Sequence, residues 1–339
     1  MTDPDNYMNK TDNTKKLIFL RPAFEHKIWG GTKLRDDYGY DEPGDDIGEC
    51  WGISAHPHNE TLVKDGEFAG MPLGRLWREH PGIFDREDAA DAGDESCEFP
   101  LLVKIITAGE DLSIQVHPDD EYASTHENGS MGKAECWYVL DAKPGSRLAL
   151  GHNASTRDEL ADMIGAGRWD ELIRYVDVAP GDYVQILPGT VHAIGRGVTL
   201  LETQQNSDIT YRLYDYDRVI DGCRRTLHTK ESVEVISVPA PAVSEMIKHD
   251  SYADDVVCLV GCDHYEVYRI KCHDRLSLSF DRSFMLMSVT EGSGEIAIKD
   301  IPDSARSIKK GDHFIVPSGC LDLELKGDTV IIASCLPRI

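Results

Sequence analysis

The sequence predicts a mainly β protein, a sandwich or closed β architecture with a small helical segment and a second β-rich unit at its C-terminal end. Three observations carry this. Short runs that alternate apolar and polar residues recur along the chain, among them TLVKD, LLVKII, CWYVLDA, YVQIL, EVYRIKC and EIAIK, with Gly, Pro, Asp or Asn between them. One stretch, 155–176, spaces its apolar residues helically, with Leu160, Met163 and Ile164 on one face, then Trp169, Leu172 and Ile173. PAPAVSE at 239–245 reads as a linker, and strand-like runs resume after it.

In chain order, residues 1–16 are polar, lack the apolar stretch of a secretory signal, and read as a solvated tail. The main domain spans 17–245. Within it a weak helix covers 73–84, and the acidic, small-residue segment 85–98 reads as a solvated loop. Gly165 and Gly167 split 155–176 into two short helices, and Ser155 stands as N-cap ahead of Asp158 and Glu159. Residues 246–339 form the second β unit.

Composition narrows the function. The length of 339 residues suits two domains. A net charge of −25, from 60 acidic against 35 basic residues, argues against nucleic acid, whose phosphates need a basic face. A small anionic ligand requires a local cationic pocket instead. No apolar run approaches the roughly 20 residues of a membrane span, so no membrane partner is expected. The nine cysteines contain no CxxC pair and read as free thiols of a reducing cytoplasm.

Four runs hold the chemistry. In LSIQVHPDD (112–120), strand alternation puts Ser113, Gln115 and His117 on one face, and Pro118 ends the ladder. In GKAECWYVLDA (132–142), Lys133, Glu135 and Trp137 share a face. In LPGTVHAIGRG (187–197), a Pro-Gly turn leads to His192. Any one of these alone fits an ordinary solvated strand or a structural histidine. Together they supply two imidazoles, a carboxylate and an amide on separate β segments, a donor set that suits Zn²⁺ or another first-row divalent ion. The fourth run, LLETQQNSDITYRLYDYDR (200–218), alternates from Arg212, so that Arg212, Tyr214, Tyr216 and Arg218 share a strand face. Two arginines there can hold an anion or pair with Asp208, Asp215 or Asp217. Glu202 is a carboxylate candidate for acid–base work.

These four runs resemble, in order and spacing, the motifs of the type I mannose-6-phosphate isomerases, particularly the short bacterial form. FEHKIWGG (24–31), GECWGIS (48–54) and FPLLVKII (99–106) are similar to its N-terminal region. The resemblance covers about 17–235 well and the C-terminal block loosely. It implies a cupin-type jelly roll with a catalytic zinc. The family's ligands fall on His117, Glu135 and His192, and Gln115 falls where longer members have a fourth. Its active-site arginine falls on Arg212 and its lysine on Lys133. Glu202 and Asp208 fall on motif acids. Ser113 and Arg218 fall near phosphate-holding positions, with Lys104 behind them, although longer members have lysine where Arg218 stands. Only 155–176 remains of the family's long helical insertion. In the C-terminal block, EGSGEIAIKD and KKGDHFIVPSG look like a cupin-style hairpin and turn. His313 there lacks the companions of a ligand set, so a metal-free partner domain is expected.

The implied reaction moves a proton between C2 and C1 of a sugar phosphate through an enediol, with Glu202 as base and Arg212 and Lys133 beside the developing charge. Two other classes fit the residues: a metal-dependent cupin oxygenase or epimerase with a different substrate, and a sugar-phosphate sensor that binds without turnover. The chain is compatible with a monomer or a homodimer.

Overall fold

A computed structural model describes residues 15–86, 98–220 and 222–338. Most of the expected tail and of the acidic loop, 1–14 and 87–97, lies outside the described residues. The fold is mainly β, 43% strand against 15% helix, as the alternating runs predict.

Three antiparallel sheets stack in layers. The middle one has seven strands, ordered Ile247–His249, Asp182–Ile186, Glu135–Ala142, Val198–Gln205, Leu101–Thr107, Ile47–Ile53 and Ala23–Gly31. On one face lies a five-stranded sheet, ordered Tyr211–Tyr214, Ile114–Val116, His192–Ile194, Arg147–His152 and Ile173–Asp177. On the other lies the nine-stranded sheet of the C-terminal block. Strand alternation divides the middle layer between two cores. Cys136 and Tyr138 join Phe99, Leu101, Val267, Phe284 and Ile332 on the C-terminal side. Trp137 and Val139 join Ile106, Leu148, Leu150, Ile194 and Leu200 on the other. Val198–Gln205 is buried along its whole length because both its faces are covered.

The sheets exchange strands across the expected boundary near 245. Ile18–Arg21 pairs with His313–Val316 of the C-terminal sheet, and Ile247–His249 pairs with Asp182–Ile186 of the middle one. Leu73–Glu79 is helical and continues as a 3₁₀ turn over Pro81–Phe84. The 155–176 segment does make two helices, Arg157–Gly165 and Trp169–Leu172, but with two corrections. The cap is Thr156, whose hydroxyl accepts from Glu159 N, whereas Ser155 donates its backbone N–H to the Glu159 carboxylate. Ile173–Asp177 is a strand, because it pairs with Arg147–His152 at the edge of the five-stranded sheet.

The layers are tied by buried polar groups. Arg269, on a C-terminal strand, donates to both Asp250 carboxylate oxygens at 2.6 and 3.0 Å, and both residues are buried. Tyr138 reaches the same cluster through Tyr252, hydroxyl to hydroxyl at 3.0 Å. His313 is buried between Ser288 Oγ (2.8 Å) and the Tyr40 hydroxyl (3.0 Å), and its ring fills the space a side chain at Gly52 would need. Arg269→Ala strands a buried carboxylate and is expected to lower stability by about 3 kcal/mol in urea unfolding. A loss below about 1 kcal/mol would mean that the pair is not the tie described.

Candidate metal centre and active site

The site forms where the middle and five-stranded sheets face each other. Across the five-stranded sheet, His192, Gln115 and Arg212 are register partners on adjacent strands. Across the middle sheet, Trp137, Glu202, Lys104 and Trp51 form a second such row. Directly paired residues point to one face, so two rows of functional side chains oppose each other. The local sequence fixes their ends. Asp119 caps the helix Asp120–His126, and Asp120 accepts from Gly132 N at 2.7 Å and Gln205 Nε2 at 2.9 Å, which locks the His117 turn to the entry of Glu135–Ala142. Gly132 approaches the backbone so closely that a Cβ would lie 2.5 Å from the Asp119 carbonyl carbon. Gly189, in the left-handed region, brings its N–H to His117 O and sets the turn before His192.

His117, Glu135 and His192 converge, each offering a ligand atom within 4.8 Å of the others. Among the described residues they make the one such group. His117 Nε2 lies 3.2 Å from Glu135 Oε1, and His192 Nε2 lies 3.6 Å from Oε2. Each imidazole has its Nδ1 against a backbone carbonyl, Ile209 O at 2.7 Å and Thr190 O at 2.9 Å. With the proton held on Nδ1, both Nε2 lone pairs face inward, the tautomer a metal ligand needs. Burial pushes the His117 ring down to about 3, helped by the Lys133 charge, and lowers His192 as well, so both stay neutral. Burial acts to raise Glu135, but the Lys133 charge beside it, the largest opposing cause, holds it well below the usual carboxylate range. Its Oε2 is buried without a hydrogen-bond partner. Two neutral imidazoles and one ionised carboxylate with an unused oxygen fit a divalent cation. Gln115 brings its amide nitrogen to 3.4 Å from His192 Nε2, at the same corner.

Beside this group a cavity of about 260 Å³ is lined by Gln115, Lys133, Glu202, Lys104, Ser113, Arg212 and Asp208. Lys133 is buried against Glu135 and 3.3 Å from His117 Nε2. Burial opposes its charge, but Glu135 and Glu202 hold its pKa up. Glu202 is buried. Trp137 Nε1 donates to its Oε2 at 2.7 Å, and Lys104 Nζ stands 3.7 Å from Oε1. Burial and the Glu135 charge push its carboxyl up to about 6, against the pull of Lys133, Lys104 and Trp137. Arg212 spends Nη1 on Thr226 O at 2.9 Å and keeps a buried Nε without a partner. Asp208 sits at the rim, 3.7 Å from His56 Nε2 and 3.6 Å from His58 Nδ1.

Arg218 is the exception. The strand carrying Arg212 ends at Tyr214, and a turn with positive φ at Tyr216 and Asp217 reverses the chain. Arg218 is therefore not on a strand face with Arg212. It is bound to Asp215 and to Asp111 O, and it does not line the cavity. Arg225 does. Sequence reasoning missed it, because it returns to Asp215 only after the short hairpin formed by Val219–Ile220 and Cys223–Arg224. The one signal for it was the crowding of four arginines, 212, 218, 224 and 225, into this short stretch.

Known proteins match this arrangement. Residues 17–155 match the family profile "Phosphomannose isomerase type I, catalytic domain", and 256–336 match "Mannose-6-phosphate isomerase, cupin domain". Mannose-6-phosphate isomerase ManA of Bacillus subtilis is 43% identical over 325 residues, 95% of this chain and 100% of its own length. The chain belongs to the type I phosphomannose isomerases. A second B. subtilis relative, probable mannose-6-phosphate isomerase GmuF, is 42% identical over 91% of this chain and 96% of its own. The crystal structure of the mannose 6-phosphate isomerase from B. subtilis superposes with a TM-score of 0.84 at 40% identity, covering 95% of this chain and 100% of that one. Membership in this family bears out the mainly β, cupin-type fold expected from the sequence. No helix among the described residues is long and apolar enough to cross a membrane.

The fit of the three donors makes a direct prediction. Purified chain dialysed against zinc is expected to retain about one ion per chain, and Glu135→Ala close to none, as read by elemental analysis. Full occupancy in that variant would rule out Glu135 as a ligand.

Proposed function

We propose that this chain interconverts mannose 6-phosphate and fructose 6-phosphate through an enediol, with Zn²⁺ as the resident ion. The observation that carries the reading is the convergence of His117, Glu135 and His192 beside a cavity that holds a raised carboxyl, Glu202, among buried cations. Bound there, the ion supplies Lewis acidity toward the O1 and O2 oxygens of the open-chain sugar.

The chain's own groups do the rest. Glu202, ionised near neutral pH, takes the proton from C2 as the C1 carbonyl becomes an enediol oxygen. It returns that proton to C1 as the hydroxyl proton of O2 passes to O1 and the C2 oxygen becomes the new carbonyl, and the carboxylate is restored. Trp137 holds one of its oxygens, which leaves Oε1 on the Lys104 side for the transfer. Lys133 and Arg212 stabilise the negative oxygen that develops in between. Ile106, Leu112 and Ile194 in the cavity wall limit water around the intermediate. The phosphate end falls to Ser113 and to Arg225, which takes the role the sequence suggested for Arg218. Asp208 at the rim is a hydrogen-bond acceptor for sugar hydroxyls. The free thiols among the described residues suit a reducing cytoplasm.

A coupled assay with mannose 6-phosphate tests the reading. Turnover is expected in the zinc-loaded chain, lost on chelation and restored by added zinc; a zinc-loaded chain that binds the sugar phosphate without converting it would overturn it. Glu202→Gln is expected to lower kcat by about 100-fold or more. The parent is expected to lose kcat/KM below a midpoint at or under about 6, because protonation removes the base and an ion held by Glu135 draws the value down. That acid limb should vanish in the glutamine variant. Arg225→Ala is expected to raise KM by roughly tenfold with kcat little changed, and Arg218→Ala to move KM less. The reverse ranking would return the phosphate to Arg218.

A further inference from the structure

A second cavity, of about 340 Å³, opens on the reverse face of the five-stranded sheet. In His192–Ile194 the side chains alternate, with Ile194 in the core between the sheets and Ala193 in the outer one. Ala193 is the register partner of Ala149, and these two short side chains form part of the cavity floor with Gly195. A Cβ at Gly195 would lie 2.0 Å from Arg147 O, so the floor stays open there.

The walls have a definite chemistry. Tyr175 and Tyr216 supply rings, and Lys143, Arg147 and Arg196 supply charge against one carboxylate, Asp111. Asp111 Oδ1 accepts from the Arg196 backbone N–H at 2.7 Å, and the Arg196 guanidinium stands 3.6 Å from exposed Glu110. Arg147 lies 4.7 Å over the Tyr175 ring. Among the described residues, neither Arg147 nor Lys143 has a carboxylate within ion-pair distance. In a chain of net charge −25, cations without acidic partners around one cavity run against the average surface.

Tyr216 is held there at a conformational cost. It and Asp217 have φ of 54° and 55° in a turn closed by Arg218 N to Asp215 O at 3.0 Å. Both central positions of such a turn favour Gly or Asn, and a bulky ring persists in this region only where its surroundings impose it. Arg218 lies 5.2 Å over that ring and donates to Asp111 O at 2.6 Å. Its other partner, Asp215, also binds Arg225, which lines the reaction cavity, so one carboxylate backs both cavities.

We propose that the outer cavity binds the phosphate ester of a ring compound, with the phosphate on Lys143, Arg147 and Arg196 and the ring against Tyr175 and Tyr216. A phosphorylated sugar and a nucleotide share that chemistry. Calorimetric titration of the zinc-loaded full chain with glucose 1-phosphate and with adenosine diphosphate distinguishes them, and binding of either one supports the site. The double variant K143A/R147A is expected to weaken that binding by about tenfold or more while leaving kcat and KM without the probe within about twofold. Tyr216→Gly, which suits the turn, is expected to weaken it by about threefold or more through loss of the ring. Equal affinity in the parent and the double variant, or no binding of either probe up to about 5 mM, would overturn the proposal.

Discussion

The structure depends on one buried charge. Glu135 sits at the start of a central strand, almost fully buried, and ionised. An isolated carboxylate in that position would cost many kcal/mol or take up a proton. It stays ionised because the Lys133 ammonium, two residues before it in the chain, donates to it, while two imidazoles from the opposing sheet turn their Nε2 atoms toward it. Those imidazoles are neutral, so they contribute no attraction of opposite charge; they are committed to the space beside the carboxylate by carbonyl bonds on their far nitrogens. Glu135 Oε2 is left without a hydrogen-bond partner, and the cavity begins at the neighbouring Gln115 and Lys133.

Holding two sheets in register around that point is a packing problem, and the C-terminal block solves it from behind. Glu135–Ala142 shows its functional residues to one side and Cys136 and Tyr138 to the other, where they enter the core shared with the nine-stranded sheet. That core contains a set of edge-to-face aromatic contacts, Trp77 with Phe84, Phe99 and Phe284. The exchange of Ile18–Arg21 into the C-terminal sheet makes this backing part of the main domain's own chain path. A domain that carries no candidate ligand is thereby coupled to the position of the ligand strand.

Much of the site was legible because strand alternation converts sequence spacing into direction. Gln115 and His117, and Lys133 and Glu135, are each two residues apart and so share a face whatever the rest of the fold does. Lys104 could be suspected as a polar residue inside an otherwise apolar strand, whereas Glu202 stands in a strand with Thr199, Thr203, Gln204 and Gln205 and was singled out as a carboxylate a short way after His192. Alternation fails where the chain stops being a strand. Tyr216 is not a turn-forming residue type, and Asp217 beside it fits an alternating strand as well as a turn, so the reversal that removes Arg218 from the face of Arg212 was not announced locally. Arg225 was invisible for the same reason, since its approach to Asp215 depends on a hairpin two residues wide. The helix cap slipped by one residue because Ser155 and Thr156 are equally good caps and the choice is made by tertiary packing. The exchange of Ile18–Arg21 into the C-terminal sheet was out of reach, being a contact between residues almost three hundred positions apart.

The charge distribution connects the site to the rest of the molecule. A chain this acidic repels a sugar phosphate at long range, although screening confines that repulsion to about 10 Å at ordinary salt. Inside the cavity the balance reverses. Lys27, Lys104, Lys133, Arg212 and Arg225 line it with Glu49, Glu202 and Asp208, and a divalent ion at the triad would add two charges beside Glu135. Burial acts to raise Glu49, but Lys104 and Lys27, with the Trp51 N–H, hold it below its usual value. Arg212 is different. Burial above all, then the neighbouring Arg225 and Arg218 charges, lower its pKa against the pull of Asp215. Arg225 is already bound to Asp215, so the donor that stays open at that end of the cavity is the buried Arg212 Nε, which only an acceptor entering the cavity can satisfy.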